Sequence, residues 1–403
     1  MATGRRFGTV VVGASLGGVR VVQALRAAGY AESIALVGDE LHPPYDRPPL
    51  SKQFLLDETR DVSDLALLPV EEMSALEPEL ILGRTAVAFD ARDRCVTLDD
   101  GTRLTGETVV IATGARARRP LRLPPSEHVL TLRTVEDARA IRDALRSASS
   151  LLVVGAGFIG CEVASAARER GVGVTVVEAM PTPMSRVLAP ELGSRLAAFH
   201  AECGSDLRCS TRVMAVEGTG SLERVTLSDG TVVAADLLVA GVGSEPSVDW
   251  LRSSSLMVGD GVHCDEHGRA VGGDRVYAVG DVARWRSSRF GDAVRTEHWT
   301  AAGDQASMVA ADILNLPVPG EPVPYVWSDQ FGRRIQLAGR CAPTDAVHVV
   351  RDGGKIVAFT ERRGRLSSVL AVDDPRSFGK YRRLLASDAS WEAVMGAAGI
   401  HGV

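Results

Sequence analysis

Short, wholly apolar runs that lead directly into glycine turns are the clearest hydrophobic pattern of this 403-residue chain. The runs at 9–12, 109–111 and 151–154 offer no polar side to solvent, as is typical of central parallel strands covered on both faces. Residues 19–28 and 161–170, which follow two of these runs, have apolar positions at helical spacing. The pattern predicts strand-turn-helix units of a parallel α/β sheet.

Two of the turns carry a glycine-rich loop, GASLGG at 13–18 and GAGFIG at 155–160. The second loop is a full GxGxxG, whereas Ser15 stands in the first where that motif has its second glycine. Such a loop lets the first free N–H groups of the following helix face a pyrophosphate. We therefore predict two dinucleotide sites, whose loop residues are Gly13, Ser15, Leu16, Gly17, Gly18, Gly155, Gly157, Phe158, Ile159 and Gly160.

An acidic residue at the end of the next strand indicates which nucleotide each loop prefers. Glu178 follows the strand VTVV at the offset where an acid accepts hydrogen bonds from an adenosine ribose. It would repel a 2′-phosphate, and residues 179–181 contain no Arg to hold one, so the second nucleotide is predicted to be NAD(H). After the first loop Gly38 occupies this place, and Asp39 is the candidate ribose acid. The alternative for both loops is an ordinary α/β crossover with glycines at its turn.

The proline-rich stretch HPPYDRPPLSK at 42–52 predicts a rigid, extended loop that excludes regular helix. Its cations Arg47 and Lys52 are candidates to neutralise a pyrophosphate or an electron-rich ring. A solvated surface loop is the alternative.

Composition narrows the class of protein further. The length predicts two to four domains, and a net charge of −6 does not favour binding to nucleic acid or to an anionic membrane. No apolar run approaches the roughly 18 residues of a membrane span, so we expect a cytoplasmic protein. The six cysteines show neither a CxxC pair nor zinc spacing, which favours free thiols in a reducing compartment and no metal site.

Several motifs in order along the chain carry a family resemblance. They are GASLGG, PYDRPPLSK, ATGAR, GAGFIGCE, the GVGSEP turn at 241–246, VYAVGD at 276–281, TEHW at 296–299 and VWSDQ at 326–330. With them the chain resembles the FAD-dependent, NADH-linked ferredoxin reductases of bacterial oxygenase systems, the putidaredoxin reductase type of the two-dinucleotide flavoproteins. The resemblance covers essentially the whole chain.

The resemblance implies two Rossmann-like domains and a small C-terminal α+β domain. Residues 1–113 and 245–319 would form a discontinuous FAD-binding domain, residues 114–244 an inserted NAD-binding domain, and residues 320–403 the C-terminal domain. Within this arrangement Lys52 would lie close to flavin N5 and pair with Glu162 across the domain junction. Lys52 and Glu162 are therefore the expected catalytic residues.

Further cofactor contacts follow from the resemblance alone. Asp281, after Gly280, would bond the ribityl chain of the flavin, and Trp299 and Trp327 would be its neighbours. The remaining expected contacts are Ala112, Thr113, Gly114, Arg116, Gly243, Glu297 and His298.

The function implied is electron transfer from NADH through FAD to an iron–sulfur ferredoxin, which feeds a haem-thiolate or Rieske oxygenase. A disulfide reductase of the same superfamily needs cysteine in the first domain, and residues 1–94 contain none. A non-catalytic or signalling flavoprotein resembling apoptosis-inducing factor stays open as the alternative.

Charge is unevenly spread, because residues 320–403 contain twelve Arg and Lys against nine Asp and Glu. We expect their basic clusters to steer an acidic ferredoxin towards the flavin and the C-terminal domain. These clusters are Arg333-Arg334, Arg362-Arg363-Arg365 and Arg382-Arg383. The alternative is that these clusters are ordinary solvent-exposed surface residues. We expect a monomer or weak dimer.

Overall fold

A computed structural model of the chain describes residues 4–119, 128–217, 224–351 and 353–399. Its strands are β1 Gly4–Val12, β2 Ile34–Val37, β3 Pro78–Ile81, β4 Ala86–Asp90, β5 Cys95–Leu98, β6 Arg103–Ile111, β7 Ala115–Ala117, β8 Val129–Thr131, β9 Ser150–Val154, β10 Gly173–Val177, β11 Asp206–Arg208, β12 Val213–Glu217, β13 Arg224–Leu227, β14 Val232–Ala234, β15 Leu237–Ala240, β16 Ser244–Pro246, β17 Val258–Gly259, β18 Gly261–Cys264, β19 Val276–Ala278, β20 Ala283–Arg286, β21 Ala293–Arg295, β22 Tyr325–Gln330, β23 Arg333–Gly339, β24 Ala346–Arg351, β25 Ile356–Arg362 and β26 Arg365–Val372.

The α-helices are α1 Leu16–Ala27, α2 Gln53–Leu56, α3 Val70–Ala75, α4 Val135–Ala144, α5 Phe158–Glu169, α6 Pro190–Glu202, α7 Trp299–Ile313, α8 Pro375–Ala386 and α9 Trp391–Ala398. Short 3-10 helices occupy Pro48–Ser51, Val62–Leu65, Asp249–Leu251 and Gly280–Val282. Among the described residues, no helix combines the length and the apolar character that crossing a bilayer requires.

The chain forms two compact units. The first unit comprises the described residues of Met1–Asp46, Asp61–Arg116 and Glu245–Pro324, and the second those of Arg47–Arg60, Ala117–Ser244 and Tyr325–Val403. The α/β class and the C-terminal α+β domain expected from the sequence are confirmed. The division into three domains stays a prediction.

A parallel sheet with an antiparallel extension lies at the centre of the first unit. Its strand order is β3-β2-β1-β6-β5-β4, with β19 also paired to β6. Strands β1, β2, β3, β6 and β19 are parallel, and β4 and β5 are antiparallel. The apolar run of β1 is fully buried from Phe7 to Val12, in agreement with a central strand covered on both faces.

The second unit has its own parallel sheet, in the order β11-β10-β9-β15-β8. All four neighbouring pairs run parallel, and β9 lies between β10 and β15. Because the carboxyl ends of parallel strands meet at one edge, the loop after β9 and the end of β10 lie side by side. An antiparallel sheet of β12, β13 and β14 adds a small core shared with the parallel sheet.

The C-terminal part of the second unit is an antiparallel sheet in the order β22-β23-β26-β25-β24, followed by α8 and α9. Strand-like apolar segments around 334–339, 346–350 and 355–360 predict three strands, which correspond to β23, β24 and β25, whereas no segment predicts β22 or β26. Strand β22 contains the polar sequence SDQ, in which two of the three polar residues are buried. A buried polar strand gives no hydrophobic alternation, so periodicity could not reveal it.

Residues 47–60 form a helical segment attached to the second unit. The prediction of an extended loop at 42–52 is wrong for Pro48–Ser51, which form a 3-10 helix that leads into α2. Proline suits the first turn of a helix, because its missing N–H would have no helical partner there. Arg142 donates to the carbonyl oxygens of Asp57 and Arg60, and Arg170 donates to that of Leu55.

Candidate functional site

The loop between β1 and α1 is shaped so that only glycine fits at two of its positions. Gly13 has a φ of +120°, and its N–H donates to Val37 O at 2.7 Å. A Cβ at Gly13 would lie 2.1 Å from Ala112 O, and one at Gly18 would lie 2.0 Å from Gly13 O. The backbone therefore closes on itself at the carboxyl ends of β1 and β6.

The loop between β9 and α5 has the same backbone geometry as the loop between β1 and α1. Gly155 has a φ of +102°, and its N–H donates to Val177 O at 2.8 Å. A Cβ at Gly155 would lie 2.4 Å from Gly241 O, and one at Gly160 would lie 2.0 Å from Gly155 O. At Gly157, by contrast, a Cβ would meet nothing within 4 Å.

Ser15 and Gly157 occupy equivalent places as the N-cap residues of α1 and α5. Both have extended backbone, with φ of −121° at Ser15 and −79° at Gly157. Ser15 therefore replaces the second glycine of the motif without strain. Neither helix has an acidic residue in its first turn, so the free N–H groups of both turns suit a pyrophosphate.

The other loop residues predicted from the sequence lie in the first helical turns. Leu16 and Phe158 begin α1 and α5, Gly17 follows Leu16, and the side chain of Ile159 is 42% exposed. Each loop thus has the backbone that a dinucleotide cofactor requires, and the residues fit such a group.

The predicted ribose acids follow β2 and β10. Glu178 is partly buried directly after β10, where its carboxylate accepts from Ala156 N at 2.7 Å and from Met180 N at 2.8 Å. The carboxylate therefore lies against the glycine loop of the second unit. Asp39 is exposed two residues after β2, and the neighbouring Glu40 accepts a hydrogen bond from Tyr45.

Lys52 and Glu162 form a buried ion pair inside the second unit. Lys52 Nζ lies 2.9 Å from Glu162 Oε2, with only 12% and 6% of the two side chains exposed. Lys52 Nζ also donates to Pro48 O at 3.1 Å, which leaves one of its three N–H groups for another acceptor. The sequence predicted this pair across a domain junction, but residues 47–60 pack with Glu162 in one unit.

Two serines that the sequence did not single out complete the surroundings of Glu162. Ser51 donates to Glu162 Oε2, and Ser328 of β22 donates to Glu162 Oε1. Gln330 Nε2 donates to Ser328 Oγ at 2.8 Å in turn. These serines lie 111 and 166 residues from Glu162 in sequence, so no local pattern could have identified them.

In the first unit, the loop after β19 is held by α7. Gly280 has a φ of +73°, and its N–H donates to the buried side chain of Gln305 at 2.7 Å. Asp281 follows within the same short 3-10 helix, and Arg295 donates to its backbone oxygen. Gln305 is a further residue of this loop that sequence reasoning missed.

The TEHW segment ends at the start of α7, which begins at Trp299. Glu297 is exposed and paired with Arg295, and Trp299 Nε1 donates to Asp46 Oδ1 at 2.7 Å. Burial lowers the pKa of His298 to about 4, against an opposing effect of the Asp281 charge. Nδ1 of His298 is buried with no hydrogen-bond partner among the described residues, which suits contact with a bound group.

Four of the predicted cofactor residues make contacts with the chain itself. Thr113 Oγ1 donates to Ser247 O at 2.9 Å, and Gly114 O accepts from Ser247 N. Arg116 is exposed and forms ion pairs with Asp249 and Glu245. Arg47 donates to Arg133 O at 2.7 Å.

The last two predicted residues lie in the second unit. Gly243 has a φ of +104°, and a Cβ there would lie 2.7 Å from Arg186 Nη1. Trp327 lies on β22 and stacks on Tyr325 with ring centroids 5.9 Å apart. Arg382 of α8 covers the Tyr325 ring with its guanidinium 4.7 Å from the centroid.

Two protein-family models match successive segments of the chain. The family model described as "Pyridine nucleotide-disulphide oxidoreductase" matches residues 7–306, and the model described as "Reductase C-terminal" matches residues 325–397. Rhodocoxin reductase of Rhodococcus erythropolis is 36% identical over 387 residues, which cover 94% of this chain and 89% of that protein.

Two further comparisons agree. The ferredoxin–NAD(+) reductase subunit of the benzene 1,2-dioxygenase system of Pseudomonas putida is 36% identical over 379 residues, covering 93% of this chain and 91% of that protein. The crystal structure of the covalent putidaredoxin reductase–putidaredoxin complex matches with a TM-score of 0.90 at 30% identity, covering 96% of this chain and 94% of that chain.

Proposed function

Because the chain belongs to the pyridine nucleotide-disulphide oxidoreductase family and carries its reductase C-terminal domain, we infer that it is an NADH-dependent ferredoxin reductase. It uses FAD and NAD(H) and passes electrons to an iron–sulfur ferredoxin. That ferredoxin would in turn supply a haem-thiolate or Rieske oxygenase.

We propose that the loop at Gly13–Gly18 holds FAD and that the loop at Gly155–Gly160 holds NADH. Support comes from the matching backbone of the two loops and from Glu178 beside the second one. Bound FAD supplies the conversion of a two-electron donor into single electrons, which nicotinamide alone does not offer. Asp281, His298, Trp299 and Trp327 are proposed as further contacts of the cofactors.

The observation that carries this function is the buried Lys52–Glu162 pair two residues past the second glycine loop. Burying an ion pair rarely adds stability, because desolvation offsets the attraction between the charges. A role in hydride transfer therefore explains the pair better than a structural role does. We propose that the ammonium stabilises negative charge developing in this step and that Glu162 orients the nicotinamide.

Anaerobic stopped-flow absorbance tests the proposal. The purified holoenzyme is mixed with NADH or NADPH and then with a reducible [2Fe–2S] ferredoxin. Rapid bleaching by NADH followed by fast reoxidation by the ferredoxin is the expected result. A long-lived reduced complex that transfers electrons to no ferredoxin tested would favour the signalling flavoprotein, although none of the relatives named above is one.

Disulfide reduction is not part of the proposed chemistry, despite the family description. The six cysteines are free, and residues 1–94 contain none. Burial raises the pKa of the Cys161 and Cys264 thiols well above the ordinary value, so these side chains stay protonated.

The Glu178 carboxylate is expected to set the preference for NADH. In Glu178→Ala, the ratio of kcat/KM for NADH to that for NADPH should fall about tenfold, because the repulsion of a 2′-phosphate and a ribose acceptor are both lost. Steady-state kinetics with the two nucleotides measures this ratio. Glu169→Gln, an exposed acid on the same helix as Glu162, is the control. An unchanged ratio in Glu178→Ala would contradict the ribose assignment.

Most basic clusters of the C-terminal part are neutralised locally. Ion pairs join Arg333 to Glu202 and Asp373, Arg334 to Asp329, Arg362 to Asp345, and Arg365 to Asp388. Helix α8 differs, because none of its four cations is paired with an acid among the described residues. Arg376, Lys380 and Arg383 are exposed at spacings that share one helix face, opposite the buried Phe378 and Tyr381.

We propose that this face of α8 attracts an acidic ferredoxin. In Arg383→Glu, the rate constant for association with an acidic [2Fe–2S] ferredoxin should fall about tenfold at low salt, because the reversed charge weakens electrostatic steering. The difference should shrink as ionic strength rises. Arg212→Glu makes the same charge change at an exposed position before β12 and serves as the control. Equal losses in both variants would argue against α8 as the docking face.

We also propose that the protein works in the cytoplasm as a monomer or weak dimer. Six free cysteines are consistent with a reducing compartment. Sedimentation velocity at several protein concentrations, with and without NADH, tests the oligomeric state.

A further inference from the structure

The Glu162 carboxylate receives hydrogen bonds from three side chains, which lie in two separate segments of the second unit. Lys52 and Ser51 come from the helical segment at 47–60, and Ser328 comes from β22 of the C-terminal sheet. Lys52 and Ser51 both bind Oε2, whereas Ser328 alone binds Oε1. Three of the roughly four lone-pair positions of the carboxylate are thereby used, and the one left over belongs to Oε1.

We propose that Ser51 and Ser328 are positioning residues, which fix the Glu162 carboxylate so that its remaining lone pair serves the nicotinamide. This inference rests on the proposed function. A carboxylate held by Lys52 alone would be free to rotate about its terminal bond, because Lys52 binds a single oxygen. Ser51 binds one carboxylate oxygen and Ser328 binds the other, so rotation about this bond would break both hydrogen bonds.

Burial makes the arrangement rigid. Ser51 is 4% exposed and Ser328 is fully buried, so water does not compete for their hydroxyl groups. Ser328 is itself oriented by Gln330, which donates to its oxygen and leaves its proton for Glu162. Phe331 N, just after β22, donates to Ser165 Oγ one turn along α5, in a contact that does not involve the Glu162 carboxylate. The C-terminal sheet therefore contributes directly to the geometry of Glu162.

The test compares Ser51→Ala and Ser328→Ala with Ser165→Ala as the matched control. Ser165→Ala also removes a hydrogen bond between α5 and the β22 segment, but it does not touch Glu162. At saturating NADH the rate constant of flavin reduction should fall about tenfold in each of the first two variants and stay unchanged in the control. Electron transfer from chemically reduced holoenzyme to ferredoxin should be unaffected in all three.

Lysine reactivity supplies a readout that is independent of turnover. The chain has three lysines, Lys52, Lys355 and Lys380, so Lys355 and Lys380 are internal references. Brief acetylation of the holoenzyme followed by peptide mass spectrometry should show Lys52 reacting about threefold faster in Ser51→Ala and Ser328→Ala, since a looser carboxylate protects the ammonium less. Its reactivity in Ser165→Ala should match that of the unmodified sequence.

A double-mutant comparison separates positioning from a structural effect. If Ser328 acts through Glu162, adding Ser328→Ala to Glu162→Gln should not slow flavin reduction further. Equal reduction rates and equal Lys52 labelling in Ser51→Ala, Ser328→Ala and the control would overturn the inference. Failure of the proposed function would look different, because NADH would then fail to reduce the flavin of the unmodified protein.

Discussion

Lys52→Met should slow flavin reduction by NADH at least about 100-fold while FAD stays bound. Methionine keeps the length and apolar body of the side chain but removes the ammonium. The Lys52 side chain is 12% exposed, and its ammonium uses two N–H groups on Pro48 O and Glu162 Oε2. Its charge acts in a site with little water, so its loss is expected to cost far more than that of a surface lysine.

Stopped-flow reduction of the holoenzyme under anaerobic conditions measures this effect, and the flavin absorbance after gel filtration reports bound FAD. Lys355→Met, at an exposed lysine before β25, is the control and should reduce at the normal rate. Removing one partner of a buried pair also destabilises the fold, so thermal unfolding is recorded for each variant. If the Lys52 variant keeps its FAD and reduces at the normal rate, the ion pair has no mechanistic role.

The Lys52–Glu162 ion pair and the glycine loops show how much of a functional site can be predicted from a sequence. The glycine loops, their strands and Glu178 follow from short-range patterns, because a strand, a turn and a helix within about 30 residues carry their own signal. The pairing of Lys52 with Glu162 needed the family resemblance, since the two residues are far apart in the chain. The carboxylate ligands Ser51 and Ser328 could not be found at all, because nothing local distinguishes them from other serines.

The distribution of charge is the other property that depends on contacts between residues far apart in the sequence. Three basic clusters look alike when charges are counted along residues 320–403, yet Arg334, Arg362 and Arg365 each form an ion pair with an acid in the folded chain. Two of these acids, Asp345 and Asp388, lie 17 and 23 residues away from their partners. The tertiary fold brings them together, whereas the exposed cations of α8 form no ion pair with an acid among the described residues.

The two glycine loops differ at the place of the motif's second glycine, which is Ser15 in the first loop and Gly157 in the second. This difference shows how the NADH loop can be tested without damage to the fold. Ser15 shows that a small side chain is compatible with the loop backbone, while Gly157 has an open space where its Cβ would lie. A close approach of the pyrophosphate to the backbone would use that space. Affinity for NADH should then fall as the side chain at position 157 grows.

Gly157→Val is therefore expected to raise the Kd for NAD+, which shares the pyrophosphate of NADH, about 100-fold, whereas Gly157→Ser raises it only a few-fold. Valine adopts the φ of −79° and ψ of −176° found at Gly157 without strain, and losing a glycine N-cap costs at most about 1 kcal/mol of folding free energy. FAD content and thermal unfolding should thus stay close to those of the unmodified protein. Isothermal titration with NAD+ measures the affinity in the oxidised holoenzyme. Equal affinities for the serine and valine variants would mean that the pyrophosphate does not lie over Gly157, and the assignment of this loop to NADH would have to be abandoned.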